Sequence, residues 1–433
     1  MPPHNHTVDS RHGLEHDFGF VPSFSFCGRP IGPGELLDVV RSTTDVSLDL
    51  PALNVFFRVG IFLNGATPFR EIRRFSPPPI IVPPSDTSRE QAIDAYASLF
   101  RQAVSRRLDS QSVLALSGGR DSRHILLELH AQNALPNYAL TVDLETANDR
   151  EIAEQVARAV GVRHFVVEPC RSIEGAARTV RGTDFMSTQH AWFADVARMR
   201  DGRAWWDGIA GDVLSGSLFL QEWNARLFET GRVEELADRL VGRGTISYFR
   251  DQSLFSRSDA VEAMYTELSR HIGAANPVAS YYFWNHTRTD TGASAFGMLR
   301  PNGQTTLAPF LDRDLWRFLS SLPARMVIHR KFRDEVIART YPQFARIPYA
   351  EKRPVSPARY RGRALRMLGR LALSPSTTEN IRATMRVLRS IAVPSKASDI
   401  EWVLGSWMYL NTLHDSRNFP KAHGMKSAVL WSE

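Results

Sequence analysis

The chain has 433 residues, 43% of them hydrophobic and 23% charged, with a formal net charge of +7 and two cysteines, Cys27 and Cys170. That length can bury a sizeable core and suggests two or three domains, and the composition is that of an ordinary globular protein. No stretch approaches a transmembrane span, the opening "MPPHNHTVDSRHGLEHD" lacks the apolar core of a signal peptide, and two cysteines exclude a disulfide framework and a cysteine-rich zinc site, so a soluble cytoplasmic protein with no membrane partner is expected.

In chain order, residues 1–17 are polar and His-rich and read as a disordered tail. Residues 18–84 read as a truncated β-rich region, with the β-like runs "FSFC" and "NVFFRVGIFL" broken by Gly and Pro, and "SPPPIIVPPS" (76–85) as a linker, because Pro blocks helix and central strand alike. A helix is predicted across "DTSREQAIDAYASLFRQAVSRRL" (86–108), with Ser88 as N-cap and Ala92, Ala95, Leu99 and Val104 at helical spacing. Residues 111–168 then alternate: strand at 112–116, helix at 122–131, strand at 138–142, helix at 149–160, strand at 164–168. This βαβαβ order predicts a parallel sheet with right-handed crossovers. From 173 to 413 the pattern is mostly helical, interrupted by "AWWDGIAGDVLSG" (204–216), where a short strand meets a Gly-rich turn. No internal repeat is present.

The first strand hands over to its helix through "LALSGGRDSRH" (114–124). Gly118 and Gly119 can adopt positive φ and let backbone approach a ligand. The helix that follows points its N-terminal N–H groups and dipole at the loop, which together make an anion site. Ser117 and Ser122 can donate hydroxyls to phosphate oxygens. A carboxylate beside phosphate repels it unless a cation lies between them, so Asp121 is expected to ligate Mg²⁺. The string lacks the Gly-Lys-Ser/Thr ending of a Walker loop and the third glycine of a dinucleotide fingerprint. A plain βα turn with Asp and Ser as caps is the alternative.

"LSGGRDS" resembles the pyrophosphate loop of the N-type ATP pyrophosphatases, which cleave ATP between the α- and β-phosphates and adenylate a substrate oxygen. Later segments narrow the resemblance to the synthetase domain of asparagine synthetase and its relatives, the β-lactam synthetases and lasso-peptide cyclases. "ALTVDL" followed by "NDREIAEQVARAVGVRHFVVE" is similar to the family's second nucleotide-binding segment, which implies that Val142 meets adenine and Asp149 opens the helix. "WDGIAGDVLSGS" (206–217) resembles the family's strand-plus-loop motif, which implies Asp207 and Gly208 beside the nucleotide and Asp212 as the second Mg²⁺ carboxylate. "APFLDRDLWRFLSSLPARMVI" (308–328) resembles the "PFLD" segment, with Phe310 and Leu311 in the core and Asp312 capping the next helix. "YPQFARIPYAEKRPVSP" (341–357) resembles the loop whose lysine reaches the α-phosphate or adenylate, and the match falls on Lys352. "IEWVLGSWMYLNTLH" (400–414) is similar to a Trp-bearing closing helix.

The resemblance implies an α/β PP-loop sheet with flanking helices and a largely helical C-terminal half, spanning 85–414, with 415–433 as a tail. It implies ATP and Mg²⁺ as cofactors. Ala115, Leu116, Ser117, Gly118, Gly119, Asp121, Ser122, Val142, Asp207 and Gly208 would bind ATP. Asp121 and Asp212 would bind the metal, and Lys352 and Asp121 would carry catalysis.

Two departures from the family shape the functional expectation. Glutamine-hydrolysing members expose an N-terminal cysteine, whereas here Met1 is followed by Pro2, so no glutamine hydrolysis is expected. Ile209 stands where family members carry a glutamate or tyrosine suited to proton transfer. The expected activity is therefore adenylation of a small-molecule or peptide carboxylate followed by amide formation, with nitrogen from free ammonia, a substrate amine or a partner protein. Arg288 and Arg300 are candidates for an acceptor carboxylate or phosphate. The alternatives are a tRNA-modifying pyrophosphatase, for which the basic tract 359–370 would contact phosphates, and a non-catalytic partner that keeps the fold. That tract also reads as an amphipathic helix, so a nucleic-acid partner is not the expectation.

Overall fold

The computed structural model describes residues 14–351 and Tyr409, apart from short stretches at 33–34, 44, 144–146, 169–172, 191, 200, 217, 243–245, 247–252, 254, 299–304 and 330. The basic tract 359–370 and all of the closing helix except Tyr409 lie outside the described residues.

The N-terminal region holds a three-stranded antiparallel sheet in the order β2-β1-β3, with β1 at Phe24–Phe26, β2 at Arg29–Ile31 and β3 at Ile72–Arg74. Its hairpin turns at Cys27 and Gly28, both at positive φ, the backbone a two-residue hairpin demands. The region is not β-rich, however. The first part of "NVFFRVGIFL" (54–63), expected as a strand, lies in the helix Leu50–Val59. Asp49 accepts from the Ala52 amide, Pro51 sits in the first turn, and Gly60 closes the helix at φ +83. Ala52 through Phe57 are all buried, the polar Asn54 among them, so the run's periodicity cannot separate helix from buried strand.

The tail expectation also needs correction. Leu14 and Glu15 are buried and the Leu14 amide donates to the Leu311 carbonyl, so the end of this stretch packs against the fold. Phe18 follows, in an aromatic cluster with Phe283, Trp284 and Trp316. The polar residues around Leu14 hid this anchor.

The central sheet is fully parallel, in the order β6-β5-β4-β7-β8. Its strands are β4 (Ser112–Ala115), β5 (Tyr138–Val142), β6 (His164–Val167), β7 (Ala204–Trp206) and β8 (Thr306–Leu307). The predicted βαβαβ rhythm is present, with helices at Asp121–Ala131 and Asp149–Val160. β8 was not predicted: two residues carry no period, and only pairing with β7 makes them a strand. This is the α/β PP-loop-like fold that was expected. The order builds outward from β4 in both directions, so the carboxyl ends of β4 and β7 form a topological switch point, where open α/β sheets bind ligands.

Flanking helices hold this edge in place. The helix Arg89–Ser105 starts in a capping box between Ser88 and Gln91. It buries Ala92, Ile93, Tyr96, Phe100, Ala103 and Val104, while Ala95 and Leu99 stay only half-buried. Phe310 and Leu311 are fully buried, as expected. Asp312 caps the helix Arg313–Ser320 by accepting from the amides of Asp314 and Leu315. Its carboxylate also takes Arg106 and the buried Arg107, which hold its pKa below the ordinary value against burial. Tyr409, buried against Phe56 and Phe57, donates its hydroxyl to the Phe185 carbonyl at 2.7 Å. No helix among the described residues is long and apolar enough to cross a membrane.

Candidate active site

The loop leaving β4 is organised by its own serines. The Ser117 amide donates to Ser122 Oγ at 2.9 Å, the two hydroxyls lie 3.0 Å apart, and the Gly119 amide donates to Ser117 Oγ at 3.2 Å. Neither glycine has positive φ, contrary to the role read from sequence. Gly118 is required instead by packing: a Cβ there would lie 2.6 Å from Ala350 Cβ and 3.0 Å from Ile152 Cβ. Its amide donates to Asp149 Oδ1 at 3.0 Å, so Asp149, the first residue of its helix, ties the second segment to the loop. Burial raises the Asp149 pKa, and the Gly118 amide works against that rise.

β7 delivers the second half. Asp207 is buried and folds the turn, accepting from Trp205 Nε1 at 3.1 Å and the Ile209 amide at 2.8 Å. Burial raises its pKa. Gly208 and Gly211 have no room for a side chain, because a Cβ at either would collide with the Asp121 side chain. Ala210, between them, sits at φ +72, an uncommon conformation for a residue with a side chain and one found at functional sites. Asp212 lies in the first turn of the short helix Gly211–Ser215.

Asp121 and Asp212 are thus brought together from two distant segments, and a third residue joins them. Arg333, fully buried on the helix Lys331–Thr340, donates Nη2 to Asp121 and Nη1 to Asp212 Oδ1 at 3.0 Å. Burial pushes the Asp121 carboxyl up to about 7, with Arg333 pulling down and Asp212 pushing up. Burial works against the Arg333 charge, yet the two carboxylates raise its pKa above the ordinary value. Sequence reasoning missed Arg333, since no local motif marks it.

The segment before Lys352 docks on the same loop. Arg123 donates to the carbonyls of Ile347 at 2.8 Å and Pro348 at 2.5 Å, and the Ala350 amide donates to the Gly118 carbonyl at 2.9 Å. Tyr349 lies between the guanidinium groups of Arg120 and Arg123, 4.1 and 4.3 Å from its ring centre. Glu351 donates its amide to Asn148 at 2.7 Å. Lys352 and Arg300 lie outside the described residues.

These elements enclose a cavity of about 720 Å³. Ala115, Leu116, Ser117, Asp121, Ser122, Val142, Asp207, Gly208 and Asp212 all line it, whereas Gly118 and Gly119 do not. Ile209 also lines it and adds no polar group. Arg288 does not reach it. That guanidinium is buried, bonds Ser76 Oγ at 2.8 Å and lies over Trp284, and burial lowers its pKa to about 10. A larger depression of about 1000 Å³ by Trp223 and Arg226 shares only Leu218 with the cavity and carries none of the loop residues.

The cavity wall also carries Gln189, His190 and His286, none of which the sequence singled out. Behind them Asp290, fully buried, accepts from Ser187 Oγ and stands 3.7 Å from Nε2 of both histidines. Burial alone would lower the His190 pKa, and Asp290 more than offsets it, so the net shift is upward. Burial keeps His286 below its ordinary value. His190 is held at φ +59, and Asp290 and His286 lie in the π-helical turn Phe283–Thr291; both are departures from regular backbone that cluster at functional sites. An imidazole backed by a buried carboxylate can accept a proton from a bound group.

Asp121 and Asp212 are the residues that could hold a magnesium ion. Asp121 and Asp212 face one cavity with one oxygen each on Arg333, and the described residues hold no set of three or more His, Cys, Asp or Glu that would cage a metal alone. Two carboxylates with substrate phosphates completing the shell is the set magnesium favours.

The family model described as asparagine synthase matches residues 95–339, which takes in the loop after β4, the β7 turn and Arg333. No curated protein matches the chain.

Proposed function

The chain belongs to the asparagine synthase family of ATP-dependent amide-forming synthetases, and on that premise we propose that it adenylates a carboxylate, releases pyrophosphate and passes the acyl group to a nitrogen nucleophile, with no glutaminase of its own. The observation that carries this reading is the convergence of Ser117, Asp121, Ser122, Asp207 and Asp212 on one cavity from the ends of β4 and β7. Ser117 and Ser122 would bind phosphate oxygens, and Asp121 and Asp212 would hold Mg²⁺. That ion would offset charge on the departing pyrophosphate. Val142, at the end of β5, lines the side expected to take adenine.

The acceptor would occupy the wall of His190 and His286. These imidazoles would take the proton that Ile209 cannot, as the nitrogen–carbonyl bond forms and AMP leaves with the electron pair. ATP labelled at the α-phosphate should yield labelled AMP, and ATP labelled at the γ-phosphate should yield labelled pyrophosphate. Labelled ADP with orthophosphate would overturn the reading. In the same assay His190→Gln should slow amide formation on the order of 100-fold and leave ATP binding intact. Equal rates would remove His190 from the reaction.

A further inference from the structure

Arg333 has a geometry that ATP binding alone does not require. Its guanidinium is fully buried, bridges Asp121 and Asp212, and lies 5.3 Å above the centre of the Phe310 ring. Its Nε is buried without a partner. The group is held from both sides of its helix. Phe332 stacks on Tyr96 at 5.9 Å, and Asp334 takes a bidentate contact from Arg120 of the phosphate loop. Gly216 leaves the space: a Cβ there would lie 3.0 Å from Arg333 Nη1 and 2.5 Å from Asp212 Oδ1. The chain therefore builds a fixed socket for one positive charge between two carboxylates.

Two carboxylates sharing a buried wall repel each other, and Coulomb forces are strong where water is scarce. With both carboxylates ionised, Arg333 leaves the pair one net negative charge rather than two. Magnesium sheds its water reluctantly and gains little from one net charge. We infer that Arg333 is a resident counter-cation, a positioning residue that keeps Asp121 and Asp212 together without nucleotide and makes magnesium entry depend on the phosphates of ATP. This rests on the reading of Asp121 and Asp212 as the metal carboxylates.

The test is calorimetric titration of the full chain with MgCl₂ alone, and then with MgCl₂ and ATP, for wild type, Arg333→Met and Arg333→Lys, with melting temperature followed in parallel. Wild type should take magnesium weakly alone and bind it with ATP. Arg333→Met should bind magnesium alone at least about tenfold more tightly and melt lower without it, and magnesium should restore the melting temperature. Arg333→Lys keeps the charge and should resemble wild type toward magnesium alone. If Arg333→Met folds only with magnesium present, the inference is supported. Equal response of Arg333→Met and wild type to magnesium alone overturns it, as does tight magnesium binding by Arg333→Lys. Should Arg333→Met fail to fold in either condition, the Arg333→Lys titration decides. A wild type that binds ATP without any magnesium dependence sinks the metal-pair reading itself, and the inference with it.

Discussion

Asp121→Ala is expected to lower pyrophosphate release by at least about a thousandfold. Its carboxylate is placed by the first turn of the helix Asp121–Ala131, and both Gly208 and Gly211 give up a side chain to let it in. Asp207 is engaged by Trp205 and the Ile209 amide, and Asp149 by the Gly118 amide, so neither is free to take its place. The variant also leaves the buried Arg333 with Asp212 alone, which costs about 3 kcal/mol of stability. A continuous pyrophosphate assay beside a thermal melt separates the two effects. A folded variant with wild-type turnover would exclude Asp121 from the chemistry.

Gly208→Ala is expected to weaken ATP binding on the order of 100-fold in a chain that still folds. The added Cβ would collide with Asp121 Cβ, and would lie 3.3 Å from the Asp121 carbonyl carbon and 3.4 Å from the Ser122 amide nitrogen. Two of these neighbours are backbone atoms at the end of the loop after β4, which cannot rotate away as a flexible side chain can. The loop must shift by a few tenths of an ångström or more, and the serine hydroxyls and Asp121 shift with it. Titration with ATP and magnesium measures the loss, and circular dichroism reports the fold. ATP affinity unchanged from wild type would mean that close contact between the β7 turn and the loop is not what sets the site.

Several parts of the molecule were legible before any coordinate. β5 and the helix at 149–160 fall where periodicity put them, and the Ser88 cap and the Asp312 cap sit as read. These are local signals: a cap, a turn or a hydrophobic period acts within one or two turns of chain, so its cause lies in neighbouring residues. The string Ser-Gly-Gly-Arg-Asp-Ser likewise marked the turn from strand to helix, because strand, loop and helix N-terminus are consecutive.

Other parts exist only through distant contacts. Six consecutive residues of the Leu50–Val59 helix, Ala52 to Phe57, are buried, so nothing in their own pattern marks them off from a strand. β8 is a strand because β7 lies beside it. Gly118, read as a residue for positive φ, is glycine because Ala350 packs on it from more than two hundred residues away. Arg120 and Arg123 stood inside the quoted motif, but their partners Asp334, Ile347 and Pro348 lie equally far along the chain. Arg333 and the Ser187–Asp290–His190 group follow the same rule. Sequence determined strands β4 to β6, the Ser-Gly-Gly loop and the aspartates Asp121 and Asp212, since each is written in a contiguous stretch. Tertiary structure alone decided which cation joins those carboxylates and which histidines face them, since charge pairing depends on distance in space and not on spacing along the chain.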